Sequence, residues 1–472
     1  MGYDSSTQVA VIGAGPGGYA AAFRAADLGM QVALIDLEPN PGGVCLYRGC
    51  IPSKALLHIA RVLTDAREAV ELGIEFTKPA IDLHRVRTWK EGMVQKMTAG
   101  LAELCQHRNV NYIQGRASFL DAKNLRIQTD LGAENTLSID HAILATGSRS
   151  ATVPNLPLQG SRILDSTCAL ELNEVPRNML VVGGGYIGLE LGSVYAALGT
   201  DVSVVEMLPG LLTGVDRDLV NVISKRLEKL FKSIVTNTKV AHMEETPEGI
   251  RVRLEGEDIE ASEQVFETIL IAVGRKPNTS GLGLENTSVE IDGAGFVVVD
   301  AQRRTKEPTI YAIGDVAGEP MLAHKASHEG LIAAEAIAGH KVAFEPRSIP
   351  AVVFTDPEIA WCGLTETQAK SENRSAEVVR FHWRVSGRAA TLGRNDGLTK
   401  LLIDPETERI LGVGIVGAGA GELIAEGVLA IEMAATASDL QWTIHPHPTL
   451  SETVMESAET FFGHSSHMYR PK

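Results

Sequence analysis

The chain has 472 residues, with 59 Asp and Glu against 43 Lys and Arg and a formal net charge of −16 at pH 7. At roughly 150 residues per domain this length predicts about three domains. The acidic balance argues against a nucleic-acid partner, whose electrostatic footprint is basic. A hydrophobic share of 44% and a charged share of 22% describe a globular chain, and no apolar run reaches the ~18 residues a membrane span needs. Five cysteines are too few for a disulfide scaffold. No basic leader precedes the first strand-like run, so no targeting peptide is visible and a reducing cytoplasm is the expected compartment.

In chain order, Val9-Ala10-Val11-Ile12 predicts a strand running into Gly13-Ala14-Gly15-Pro16-Gly17-Gly18. An Ala-rich helix follows to Leu28-Gly29, then a second strand, Gln31 to Ile35, closed by Asp36. Next comes a segment with two cysteines, Gly42-Gly43-Val44-Cys45-Leu46-Tyr47-Arg48-Gly49-Cys50-Ile51-Pro52-Ser53-Lys54. Residues 54–105 have the pattern of long amphipathic helices, and residues 110–140 alternate like strands before ending in His141 to Gly147. Pro154 and Pro157 mark a linker.

The opening pattern then repeats. Asn178 to Val182 leads into Gly183-Gly184-Gly185-Tyr186-Ile187-Gly188, a helix runs to Leu198-Gly199, and Asp201 to Val205 ends in Glu206. In both copies the acid lies 23 positions after the first glycine. A lone GxGxxG is a weak signal, but strand, helix and terminal acid together form the full dinucleotide-binding fingerprint. The glycines let the backbone approach a pyrophosphate, the helix N-terminus offers free N–H groups, and the acid accepts from a ribose hydroxyl. Two complete copies imply two dinucleotides. The second unit ends near Ile269 to Arg275, and a further strand precedes Gly314-Asp315. After Pro346 and Pro350, strands over Thr399 to Ile403 and Ile410 to Val416 alternate with helices, as in a separate α+β domain.

Cys45 and Cys50 are placed for redox chemistry beside a dinucleotide, whereas Cys105, Cys168 and Cys362 are scattered singly. Residues five apart in a regular helix have Cα atoms roughly 8–9 Å apart, beyond the ~4.4–6.8 Å of a disulfide. A Cys45–Cys50 bond therefore requires a break in the helix, which Gly49 permits. Pro52 suits a first helical turn, and a thiol at a helix start beside Lys54 favours the reactive thiolate. Near the C-terminus, Ile444-His445-Pro446-His447-Pro448-Thr449-Leu450-Ser451-Glu452 reads alone as a stiff structural turn. Alongside a dithiol, which needs a base, it reads as a histidine proton acceptor oriented by a carboxylate.

Together these residues resemble the flavin disulfide reductases, the class I pyridine nucleotide-disulfide oxidoreductases, over essentially the whole chain. The markers are Gly13 to Gly18, Cys45 to Lys54, Ala145-Thr146-Gly147, Gly183 to Glu190, Val273 to Asn278, Ile313-Gly314-Asp315, Leu322 to Lys325 and His445 to Glu452. The resemblance implies an α/β fold with two Rossmann-like dinucleotide-binding domains, for FAD and NAD, plus a C-terminal α+β dimerisation domain. Its implied boundaries are 1–150 with 278–348 for FAD, 151–277 for NAD and 349–472 for the interface. The implied FAD contacts are Gly13, Gly15, Gly18, Asp36, Gly43, Val44, Lys54, Ala117, Thr146, Gly147, Asp315 and Ala323. Those for NAD are Gly183, Gly185, Tyr186, Ile187, Gly188, Glu190, Glu206, Val240 and Gly274. Lys54 corresponds to a lysine near the flavin that pairs with a glutamate, here Glu190, and Tyr186 stands where some relatives gate the nicotinamide pocket. No metal is implied.

Within the family the pattern is nearest the members that oxidise dihydrolipoamide. Cys45 would be the interchange thiol facing substrate and Cys50 the thiolate against the flavin. His447, held by Glu452, would be the base, supplied by the other subunit of a homodimer. Glu206 favours NAD over NADP and so speaks against a glutathione reductase. The absence of cysteine after Cys362 speaks against a mercuric reductase, and a soluble transhydrogenase would lack the cysteine pair. Implied partners are lipoyl domains of an acyltransferase or of a glycine cleavage carrier protein, and the peripheral-subunit-binding domain of a 2-oxo acid dehydrogenase core. A basic segment of that kind could meet the acidic surface. The commonest family form has Asn-Val where this chain has Tyr47-Arg48; Arg48 could lower the thiolate pKa or point to solvent.

Overall fold

The computed structural model describes residues 5–129, 132–153, 162–256 and 262–468. The linker expected at Pro154 and Pro157 lies outside them. The chain builds the same parallel arrangement twice. In the first sheet Asn111–Gln114, Val32–Asp36, Ser5–Ile12 and Glu134–Leu144 lie in that order, and Ile310–Ala312 pairs with the end of Glu134–Leu144. Asn124–Gln128 and Arg116–Asp121 extend it antiparallel. In the second, Ser233–Val235, Asp201–Val205, Asn178–Val182, Thr268–Ile271 and Ile163–Leu164 are all parallel. A three-stranded antiparallel sheet of Thr238–Thr246, Gly249–Gly256 and Ser262–Phe266 accompanies it.

Strands covered on both faces read as unbroken apolar runs, and Val9 to Ile12 and Met179 to Val182 are buried accordingly. Parallel register aligns Ile12 with Ile35 and Val182 with Val205. Each glycine loop therefore leaves its strand level with the acid of its neighbour. Gly13 N–H donates to Ile35 O at 2.8 Å and Gly183 N–H to Val205 O at 2.9 Å. A Cβ on Gly18 would lie 1.8 Å from Gly13 O, and one on Gly188 would lie 2.3 Å from Gly183 O. These glycines let helix and loop close on each other.

The remaining residues form a five-stranded antiparallel sheet, ordered Ala351–Val353, Glu358–Gly363, Ile410–Gly417, Leu398–Ile403 and Glu377–His382. The Ala420–Glu432 and Glu452–Phe461 helices cover it around the buried Trp383, Val413, Ile415 and Val454. A buried ion cluster fastens this sheet to the second parallel unit. Lys400 Nζ donates to Asp216 at 2.6 Å, Asp218 at 2.8 Å and Glu366 at 3.0 Å. Arg380 also pairs with Asp218 and Glu366, so removing the lysine leaves the buried Asp216 as the carboxylate without its cation at low dielectric. We therefore expect Lys400→Met to destabilise the protein by about 3–5 kcal/mol, read from urea unfolding of the purified protein. A loss below about 1 kcal/mol would show that the cluster is solvated enough to dispense with its lysine.

Candidate active site

One cavity of about 620 Å³ opens where the first glycine loop, the two-cysteine segment and the start of the second glycine-led helix meet. It is lined by Gly13, Gly15, Asp36, Gly43, Val44, Cys45, Cys50, Lys54, Ala117, Thr146, Gly147, Asp315 and Ala323, and on its far side by Tyr186, Ile187 and Glu190. Gly18 does not line it and acts through packing. Gly183, Gly185, Gly188, Glu206 and Gly274 lie outside it, grouped beyond the C-terminal ends of the inner strands of the second parallel sheet. Val240 is half-buried against the core beneath that sheet. Neither His447 nor Glu452 lines the cavity.

The two glycine loops share a construction. Pro16–Asp27 and Tyr186–Leu198 start at Gly15 and Gly185 with no side-chain cap, so their first N–H groups remain available to an anion. Asp36 accepts from Ala14 N–H at 2.5 Å and Glu38 N–H at 3.0 Å. Glu206 accepts from Gly184 N–H at 2.6 Å and Leu208 N–H at 2.8 Å. Each carboxylate thus braces its glycine loop and keeps lone pairs for a ribose hydroxyl. In the first site a Cβ on Gly13 would meet Ala145 O at 2.3 Å, and one on Gly43, at φ +57°, would meet Gly15 Cα at 2.5 Å. Bare backbone on both walls leaves room for a pyrophosphate, so the residues present fit a dinucleotide.

The cysteine segment breaks where expected. Gly43–Arg48 and Cys50–Glu68 are separate helices joined at Gly49, whose φ is −145° and ψ −116°. A Cβ at Gly49 would lie 2.8 Å from Val44 O, so only glycine turns here without displacing backbone. Both cysteines are free thiols; Cys50 faces the cavity more openly and Cys45 is half-buried. The Cys45 thiol donates to the Cys50 sulfur, which brings the Cys50 pKa down to about 7, with Lys54 assisting against burial. The same hydrogen bond, with burial, raises Cys45 far above the ordinary thiol range. One thiolate and one thiol result, with the negative charge on Cys50.

Lys54 is held by long-range contacts that its local sequence does not announce. Its Nζ lies 2.8 Å from Glu190 Oε2 and 4.5 Å from the centre of the Phe354 ring, while Glu190 Oε1 accepts from Phe354 N–H at 2.9 Å. Asp315 accepts from Ser148 Oγ at 2.5 Å, and Arg275 donates to Ser148 Oγ at 2.7 Å. Gly314 N–H donates to the fully buried Glu329 at 2.6 Å, with Lys325 and Arg303 at 3.2 and 3.0 Å from the same carboxylate. Ser148, Arg275 and Glu329 were not legible as site residues, because each acts through a partner at least 15 positions away. Arg48 neither faces the thiolate nor runs free: it pairs with Glu38.

The histidine loop is a distinct construction. His445 is taken up structurally, between Glu426 at 2.7 Å and Thr443 O at 2.8 Å. His447 is exposed, its Nδ1 2.8 Å from Glu452 Oε1. Glu452 also accepts from Thr449 N–H at 2.8 Å. Burial pushes the Glu452 pKa up, but the Thr449 and His447 contacts outweigh it and hold the carboxylate ionised. With Nδ1 facing Glu452, Nε2 is left to accept a proton. Trp442, 77% exposed, and Ile444, 95% exposed, flank the loop with apolar surface.

Residues 7–330 match the family model described as pyridine nucleotide-disulphide oxidoreductase, and residues 349–458 match that family's dimerisation domain. The chain belongs to this family, whose enzymes use FAD and NAD. It is 47% identical to a dihydrolipoyl dehydrogenase of Haemophilus influenzae, over 98% of this chain and 96% of that one. It is 44% identical to a dihydrolipoyl dehydrogenase of Geobacillus stearothermophilus, over 98% and 97%. Among solved structures, LpdA from Mycobacterium tuberculosis superposes with a TM-score of 0.89 at 28% identity, covering 96% of this chain and 99% of that one. The flavoprotein disulfide reductase RclA from Escherichia coli gives 0.86 at 26% identity, covering 97% and 99%. Among the described residues no helix is long and apolar enough to cross a membrane.

Proposed function

We infer that this chain oxidises dihydrolipoamide to lipoamide with NAD as the final acceptor. The observation that supports this most directly is the polarised cysteine pair in the wall of a dinucleotide cavity. In the reaction we assign, a substrate thiolate attacks the Cys45 sulfur of a Cys45–Cys50 disulfide. The bond breaks and Cys50 departs as thiolate. A pKa near 7 makes Cys50 the better leaving group of the two. His447 Nε2 takes the proton of the second substrate thiol, whose sulfur then attacks the substrate sulfur of the mixed disulfide; the bond to Cys45 breaks, lipoamide closes, and Cys45 leaves as a thiolate.

The FAD held by Gly13, Gly15, Asp36, Thr146, Gly147 and Asp315 supplies two-electron transfer from the dithiol to NAD. Gly183, Gly185, Gly188 and Glu206 hold the NAD. Because His447 is absent from the cysteine cavity of its own chain, we assign it to the site of a second copy, held through the dimerisation domain. The units 1–150 with 278–348, 151–277 and 349–472 are then the FAD, NAD and interface domains. We place the enzyme in the cytoplasm, serving lipoyl domains of an acyltransferase or a glycine cleavage carrier and docked on the peripheral-subunit-binding domain of a 2-oxo acid dehydrogenase core.

The test is anaerobic titration of the flavin-loaded protein with dihydrolipoamide. Reduction by one equivalent should produce a long-wavelength thiolate-to-flavin absorbance, and NAD should discharge it. No such band in the wild-type protein would overturn the mechanism.

A further inference from the structure

We propose that Arg48, paired with Glu38, is a positioning residue for the adenosine end of the flavin, fastening the redox segment to the loop that carries Asp36. The proposal rests on the reading of the cavity as the FAD site. Arg48 closes the Gly43–Arg48 helix between the two cysteines, yet its ion pair is with Glu38, two residues beyond Asp36. Arg48, Glu38, Leu37 and Asp36 all line the cavity. Neighbouring contacts hold the redox segment to the Asp36 loop and to the first glycine loop. Tyr47 Oη donates to Asn40 O at 3.1 Å, and Gly42 N–H donates to Ala14 O at 2.8 Å. From the adjoining strand, Tyr112 Oη donates to Glu38 O at 2.7 Å. One side chain thus links the segment bearing the dithiol to the acid that would hold the ribose.

The charge has a second effect. Burial raises the pKa of Asp36, while the Ala14 and Leu37 backbone contacts and the Arg48 guanidinium oppose the rise. The other ionisable groups around it are Glu38 on its own loop, Arg116 across the cavity from Arg116–Asp121, Tyr47 from the redox segment and Tyr112 from Asn111–Gln114. Burial pushes the Tyr112 phenol above its ordinary range, so it stays neutral. The neighbouring strand contributes only the apolar Val9 to Ile12. Arg48 and Arg116 are the cations among these groups, and Arg48 is the one that acts on Asp36.

The experiment follows flavin release from the holoenzyme in mild guanidinium, read as free-flavin fluorescence between pH 5 and 8. Arg48→Val should release flavin about tenfold faster, the scale of one contact to a charged group. Glu38→Gln should do the same, and the double variant should be no faster than the faster single variant. Without Arg48 the Asp36 carboxyl protonates at higher pH, so loss on acidification should begin earlier in Arg48→Val, and Arg48→Lys should restore the profile. Wild-type release by Arg48→Val at every pH, or additive effects of the two substitutions, would overturn the proposal. Asp36→Asn separates the two readings. If it too retains flavin like the wild type, the assignment of the FAD site fails; if it alone loses flavin, only the role of Arg48 fails.

Discussion

Replacing His447 by glutamine is expected to cut dihydrolipoamide turnover by about 10²–10⁴-fold, the usual worth of a positioned general base. Glutamine can still reach Glu452, which keeps the Thr449 N–H at 2.8 Å, so the loop should persist while the proton acceptor is lost. NADH-driven reduction of the flavin, which requires no base at the dithiol, should stay within about twofold of the wild type. The cavity lined by Cys45 and Cys50 lacks His447 in its own chain, so a mixed dimer gives a sharper result. A Cys45→Ser protomer paired with a His447→Gln protomer retains one complete site, built from the cysteines of one and the histidine of the other. Tagged and purified heterodimers should recover about half of wild-type turnover, although each homodimer is nearly inactive. Heterodimers as inactive as their parents would show that His447 serves its own chain or none.

Cys50→Ser should abolish turnover with dihydrolipoamide, to below about 10⁻³ of wild type, because no disulfide remains to exchange with substrate. The wild-type protein carries a finer signature. The Cys50 pKa is lowered to about 7 by the Cys45 hydrogen bond, aided by Lys54 against burial. Since the folded value lies below that of a free thiol, the thiolate is present above it and is lost as pH falls. In the two-electron reduced enzyme the thiolate absorbance should therefore be full near pH 8.5, halved near 7 and nearly gone by 5.5. Lys54→Met removes an opposing charge and should move this midpoint upward. A midpoint that stays put, or that moves downward, would remove Lys54 from the electrostatics of the pair.

What was legible in the sequence was whatever repeats or breaks a local rule. The echoed glycine loops carry their strand, helix and acid within 23 positions, and parallel register then brings loop and acid to one level. The break at Gly49 followed from the span of a helix against the reach of a disulfide. Contacts between distant residues leave no such trace. Nothing local marks Glu190 as a partner of the Phe354 N–H, 164 positions away, or Ser148 as the donor to Asp315, 167 positions away. Arg48 was misread in another way. It lies between the two cysteines in sequence, but a six-residue helix turns its side chain back toward Glu38.

Glu190 has a mechanical consequence. Its two oxygens bind Lys54 on the redox helix and the Phe354 N–H at the edge of the C-terminal sheet, while its own helix belongs to the second glycine-loop unit. Three bodies thus meet on one carboxylate that is 3% exposed. Separating Lys54 from Glu190 would strand a buried charge, at a cost of several kcal/mol. One side chain thus ties the redox helix, the second glycine-led helix and the edge of the C-terminal sheet to a common point.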